Sequence, residues 1–140
     1  MIQTVIFSDA HKEVVYTNCN FGEGFGYAYC RPYGPTKFVD CEFNYSDRCV
    51  NVYVDNGANT AGITSDVAFI NCKFSTANAS SVGAVEVNSK PFTAGVEVAM
   101  NGCTAPANGH MIFVSKWDSS VGATATITVN GAAFNAPVQQ

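Results

Sequence analysis

The sequence predicts an all-β chain wound as a right-handed, single-stranded parallel β-helix of about five coils. Three observations predict it. A strand-like motif recurs five times, its spacing is that of a solenoid repeat, and Gly or Pro interrupts nearly every gap in which a helix would have to run.

The motif first runs Val15-Tyr16-Thr17-Asn18-Cys19-Asn20-Phe21. It returns as Phe38-Val39-Asp40-Cys41-Glu42-Phe43 and as Phe69-Ile70-Asn71-Cys72-Lys73-Phe74. A fourth copy is Val98-Ala99-Met100-Asn101-Gly102-Cys103, and a fifth, Thr128-Val129-Asn130-Gly131-Ala132-Ala133-Phe134, has Ala in place of Cys. From Cys to Cys, and finally to Ala132, the steps are 22, 31, 31 and 29 residues. Apolar and polar residues alternate within each copy, and β-branched and aromatic residues are enriched, as in half-buried strands. Most copies are followed by a second strand: Gly26-Tyr27-Ala28-Tyr29-Cys30, Val50-Asn51-Val52-Tyr53-Val54, Ala84-Val85-Glu86-Val87 and Met111-Ile112-Phe113-Val114. Stacked turns of chain pair each strand in parallel with its copies above and below.

In such a stack, equivalent side chains lie about 4.8 Å apart. Cys19, Cys41, Cys72, Cys103 and Ala132 are therefore expected to form one inward ladder of small residues, since a free Cys behaves as a small hydrophobe. Stacked side chains point the same way, which disfavours disulfides between rungs. Cys30 and Cys49 fall outside the ladder, and a bridge between them stays open. Asn18, Asp40 and Asn71 precede the cysteines as turn-forming residues. Phe21, Phe43, Phe74 and Phe134 form a second expected ladder.

Repeats of this kind, with Asn and aromatic ladders over residues 14–134, resemble the right-handed β-helix proteins of the pectin-lyase-like superfamily. They resemble most the uncharacterised β-helix repeat proteins of bacterial surfaces. The resemblance implies a fold; one fold hosts many functions. Of the polygalacturonase-like motifs, Asp-Asp and Arg-x-Lys do not occur, and Gly109-His110 is followed by Met111. The clustered Asp and companion Arg of pectate lyases have no counterpart either. No catalytic residue carries over.

Composition agrees with an exported product. Hydrophobic residues make up 47%, enough for a core, but charged residues only 13%, about half of the usual ~25%. Asn, Ser, Thr, Gly and Tyr must dress the surface. The net charge is −4 and the seven basic residues stand singly, which disfavours a nucleic-acid partner. No stretch suits membrane insertion. The N-terminus lacks an export signal, and no amphipathic cap helix covers the solenoid ends. The expectation is a single β-helix domain spanning 1–140, a fragment or module of a larger surface protein, or an oligomer whose subunits cover one another's ends.

No residue constellation points to catalysis, to a metal or to a cofactor. The acids Asp40, Glu42, Glu86 and Glu97 are candidates for a pair across stacked coils, but spacing selects none of them. The oxygen-rich stretch Asp55–Gly62 lacks the order of known calcium loops. His110 and Ser115 lack a nucleophile elbow. The aromatics carry the best hint: Tyr33, Tyr45 and Trp117 fall at outward phases or in turns. Tyr27, Tyr29 and Tyr53 are expected to form an outward ligand-binding patch, because exposed tyrosines stack on sugars and anchor interfaces. The functional expectation is a non-catalytic extracellular or cell-surface module for adhesion, binding a polysaccharide or a host or cell-surface protein. The alternatives are a carbohydrate-active lyase or hydrolase fragment and a structural part of a phage or similar particle.

Overall fold

A computed structural model describes residues 2–3, 13–22, 30–31, 34–46, 48–52, 66–88, 96–107, 109–115 and 125–139. Within them the chain is all-β, without helix. A short strand, β1 (Ile2–Gln3), precedes the repeats. The first repeat contributes β2 (Val14–Thr17), β3 (Asn20–Phe21) and β4 (Cys30–Arg31), and the second β5 (Thr36–Val39), β6 (Glu42–Asn44) and β7 (Val50–Val52). The third has β8 (Val67–Ile70), β9 (Lys73–Ser75) and β10 (Gly83–Asn88). The fourth has β11 (Val96–Asn101) and β12 (His110–Ser115), and the last β13 (Ala125–Val129), β14 (Ala132–Ala133) and β15 (Val138–Gln139).

These strands form three sheets. The first has the order β1-β4-β7-β10-β12-β15, the second β14-β13-β11-β8-β5-β2, and the third β3-β6-β9. Every pairing is parallel except that of β13 with β14. Equivalent residues meet in register: Tyr16 lies opposite Phe38, Phe38 opposite Phe69, and Phe69 opposite Met100. The second strands of the repeats do pair in parallel as expected, with Cys30 opposite Val50, Val50 opposite Val85 and Val85 opposite Ile112.

One residue per repeat turns the corner between the second and third sheets. Asn18, Asp40 and Asn71 have φ of 55°, 53° and 52°. Among non-glycine residues, Asn and Asp tolerate this left-handed region best. In the fourth repeat Gly102, at φ 67°, takes the place. The backbone ladder runs on through the corner, with Glu42 N–H donating to the Cys19 carbonyl, Lys73 to Cys41 and Thr104 to Cys72, at 2.9–3.0 Å.

The inward column after the corner is Cys41, Cys72, Phe43 and Phe74, each at most 2% exposed. Phe21, Phe43 and Phe74 stack with centroids 4.8 Å apart and planes within 8°. A second aromatic ladder, not recognised from the sequence, precedes the corner: Tyr16, Phe38 and Phe69 stack at 5.2 Å. The two ladders meet edge to face, Phe38 on Phe43 at 5.3 Å and Phe69 on Phe74 at 5.4 Å. This alternation of stacked and T-shaped contacts suits the ring quadrupole.

The fifth repeat departs from expectation. Asn130 and Gly131 both have positive φ, 50° and 79°, the signature of a two-residue type I′ hairpin. The chain reverses, β14 pairs antiparallel with β13, and Phe134 N–H donates to the Ile127 carbonyl at 2.9 Å. Ala132 is thus exposed rather than the fifth rung of the cysteine ladder, and Phe134, 38% exposed, leaves the phenylalanine ladder.

Candidate functional site

At β7 and β10 the first sheet is buried on both faces. Val50, Val52, Val85, Val87 and Ile112 face the core. By alternation Asn51, Glu86 and Phe113 face the other way, and register places Glu86 between Asn51 and Phe113. All three are buried, Glu86 completely. A carboxylate in that position needs a partner. Arg48, from the turn before β7, supplies it: Nη1 lies 3.3 and 3.2 Å from the two carboxylate oxygens. Its guanidinium also sits 5.9 Å from the centroid of the Phe113 ring, within cation–π range. Sequence reasoning scored Arg48 as a scattered basic residue and Glu86 as a loose acid. The two lie 38 residues apart in the chain, and only the strand register brings them together. The one available signal was a Glu at the centre of the apolar run Ala84-Val85-Glu86-Val87.

The other acids are dispersed by the same register. Glu42 lies between Asn20 and Lys73. Glu13 pairs with Lys37 at 3.5 Å. Asp66 Oδ1 accepts the Glu97 backbone N–H at 2.8 Å, so that carboxylate caps a strand. Glu13, Thr36, Asp66 and Glu97 border a shallow depression of about 220 Å³. Small-molecule sites typically span ~300–1,000 Å³. His110 and Ser115 sit five residues apart on β12, about 17 Å along a strand, too far to share one site.

The expected tyrosine patch of Tyr27, Tyr29 and Tyr53 lies outside the described residues, as do Tyr33, Trp117 and the stretch 55–62. Tyr45 does not point outward: it continues the inward phase of Cys41 and Phe43 and is 5% exposed. Burial, with the nearby Cys49, pushes its hydroxyl up to about 12.

The cysteines form the most regular chemical feature. Cys41 and Cys72 are buried, while Cys19 and Cys103 at the two ends of the row are half-buried. Three of the sulfurs donate to the equivalent backbone carbonyl of the preceding repeat: Cys41 Sγ is 3.5 Å from the Tyr16 carbonyl, Cys72 Sγ 3.4 Å from that of Phe38, and Cys103 Sγ 3.5 Å from that of Phe69. All four are thiols; the Cys30–Cys49 bridge left open by the sequence involves Cys30, whose side chain lies outside the described residues. Contact with Cys103, then burial, pushes the Cys72 thiol up. Contact with Cys72 draws the Cys103 thiol down to about 7. Among the described residues no three His, Cys, Asp or Glu side chains converge on one metal position, and no helix is long and apolar enough to cross a membrane.

No family model, curated protein or solved structure matches the chain.

Proposed function

We propose that this chain is a non-catalytic, right-handed parallel β-helix module of about five coils, working outside the cell or at its surface. It binds polysaccharide or protein along its strand faces. The in-register stacking of equivalent residues carries this reading. Such stacking builds outer faces as rows that repeat at about 4.8 Å. A repeating surface meets a polymeric partner over many weak, equivalent contacts, and it needs no deep cavity to do so. The carboxylates support a binding role over a catalytic one. Glu86 is neutralised by Arg48, Asp66 is engaged by the Glu97 amide, and Glu42 is flanked by Lys73. In this reading Tyr27, Tyr29 and Tyr53 supply the contact patch, since tyrosine joins an apolar ring to a polar tip.

The test is a glycan-array screen of the purified chain, followed by reducing-end assays on each hit. Binding without new reducing ends is expected, weakened at least tenfold by Tyr27→Ala or Tyr53→Ala. New reducing ends or unsaturated products would overturn the reading and make the carboxylates catalytic. Binding that survives all three tyrosine substitutions would remove the tyrosine patch.

A further inference from the structure

The last repeat carries the residues of a corner yet is wound as a hairpin. β11 and β13 run in register up to Met100 opposite Val129, so Asn130, Gly131, Ala132 and Phe134 answer to Asn101, Gly102, Cys103 and Ala105. The bridge between Lys73 and Thr104 in turn sets Ala105 after Phe74, and Phe134 is the next place in the column Phe21, Phe43, Phe74, Ala105. Gly131 already has a corner's backbone, with φ of 79° against 67° at Gly102. Asn130 is the residue that differs: its φ is 50°, whereas Asn101 is extended at the end of β11. The hydrogen bonds show the same near-equivalence. At each earlier corner the turning residue donates its N–H to the carbonyl just before the next turn: Asn18 to Val39, Asp40 to Ile70 and Asn71 to Asn101, at 2.9–3.0 Å. By that pattern Gly102 N–H would meet the Asn130 backbone carbonyl. It donates instead to Asn130 Oδ1, at 2.9 Å. The side chain stands in for its own carbonyl, so Gly102 can stay bonded to Asn130 in either winding.

We propose that residues 130–134 are a two-state end cap, closed as the hairpin and open as a fifth corner, with Asn130 as its hinge. Asn takes both extended and left-handed backbone readily, as few non-glycine residues do. In the closed form β14 lies along the outer edge of β13, and Ala132 and Phe134 are exposed. Rotation of Asn130 to extended backbone carries Ala132 beneath Cys103 and Phe134 beneath Ala105, which completes a fifth rung. It also bares the edge of β13, and an open strand edge is a template for further pairing. The cap therefore decides whether the stack is closed or can be extended. The proposal does not depend on what the outer faces bind.

The test introduces a reporter thiol with Ala132→Cys and follows its reaction with iodoacetamide by peptide mass. With Asn130 in place it is expected to react as an exposed thiol. Adding Asn130→Val removes Oδ1 and disfavours the left-handed backbone. The introduced thiol should then turn inward and react at least tenfold more slowly, with circular dichroism reporting a folded chain. Asn130→Asp keeps an acceptor oxygen and tolerates the left-handed backbone, and should leave the thiol reactive. A thiol that stays reactive with Asn130→Val, or is equally protected with Asn130→Asp, would overturn the proposal. Hydrogen exchange on the unaltered chain reads the switch without substitution. Gly102 N–H keeps an acceptor in both forms, whereas Phe134 N–H donates to the Ile127 carbonyl in the hairpin alone. Gly102 is expected to exchange at least tenfold more slowly than Phe134. Equal rates would mean that the two amides open together, which overturns the proposal even if a variant fails to fold.

Discussion

At the scale of single residues, the structure is governed by where polar atoms are buried. Tyr45 is the clearest case for pH. Its hydroxyl, pushed up to about 12 mainly by burial, ionises near 10 in the unfolded chain. The folded state then holds its proton to higher pH, so this group's contribution is fully present below about 10 and is lost as pH rises through about 12. Stability measured by urea unfolding should fall across that window, and Tyr45→Phe should flatten the fall. An unchanged slope in the variant would mean that the hydroxyl is not held neutral by its surroundings. The sequence leaves Tyr45 at an outward phase or in a turn; it sits just past the end of β6, where alternation gives no warrant for its direction, and the inward phase of Cys41 and Phe43 continues to it. Glu86 is the opposite case. Its phase was legible, but the outer face of the first sheet is covered there, and nothing local announces a cover. Arg48 reaching 38 residues along the chain to meet it is a property of register, which no single segment encodes.

At the scale of elements, strand existence and pairing were legible, because a recurring motif with a period-2 pattern determines which residues stack, even with steps of 22 to 31 residues between copies. The fifth repeat was not. Of the Asn-Gly dipeptides, Asn101-Gly102 and Asn130-Gly131 follow equivalent strands, and of these two only the second forms a hairpin. Asn101 stays extended opposite Ile70, Gly102 alone turns, and Cys103 re-enters the core. The side chain of Asn71 lies over Gly102, where an added Cβ would come within 2.5 Å of its Oδ1. At Gly131 nothing lies within 4 Å, so the chain there is open to reverse. One left-handed residue turns a corner; two reverse the strand. The two aromatic positions separate accordingly. Phe69→Ala removes a fully buried ring stacked on Phe38 and edge-on to Phe74, and should destabilise the chain by about 3–5 kcal/mol. Phe134→Ala removes a partly exposed ring beyond the hairpin and should lose about 1 kcal/mol or less. Chemical denaturation of both variants checks the pair. Equal losses would mean that Phe134 packs as a true rung of the ladder.

At the scale of the whole molecule, topology determines how the chain must fold. Outside the β13–β14 hairpin, a strand's partner is the equivalent strand of the next repeat, as with Thr36 and Val67 or Val85 and Ile112. No such pair can form before the loop between its members closes. The separation is roughly 0.2 of the chain length, the range of all-β domains that fold in milliseconds to seconds. The single antiparallel hairpin is local, but it buries little: Ala132 and Ala133 are both exposed. The aromatic ladders are therefore where folding becomes favourable, and Phe38 and Phe43 touch rings from the repeats on either side. Stacking of the second repeat on both neighbours should be the step that commits the chain. Stopped-flow refolding from urea is expected to show a millisecond-to-second main phase, slowed by Phe43→Leu in proportion to the stability lost. A microsecond phase insensitive to that substitution would place the commitment in local contacts, and the inter-repeat ladders would then form after the barrier instead of creating it.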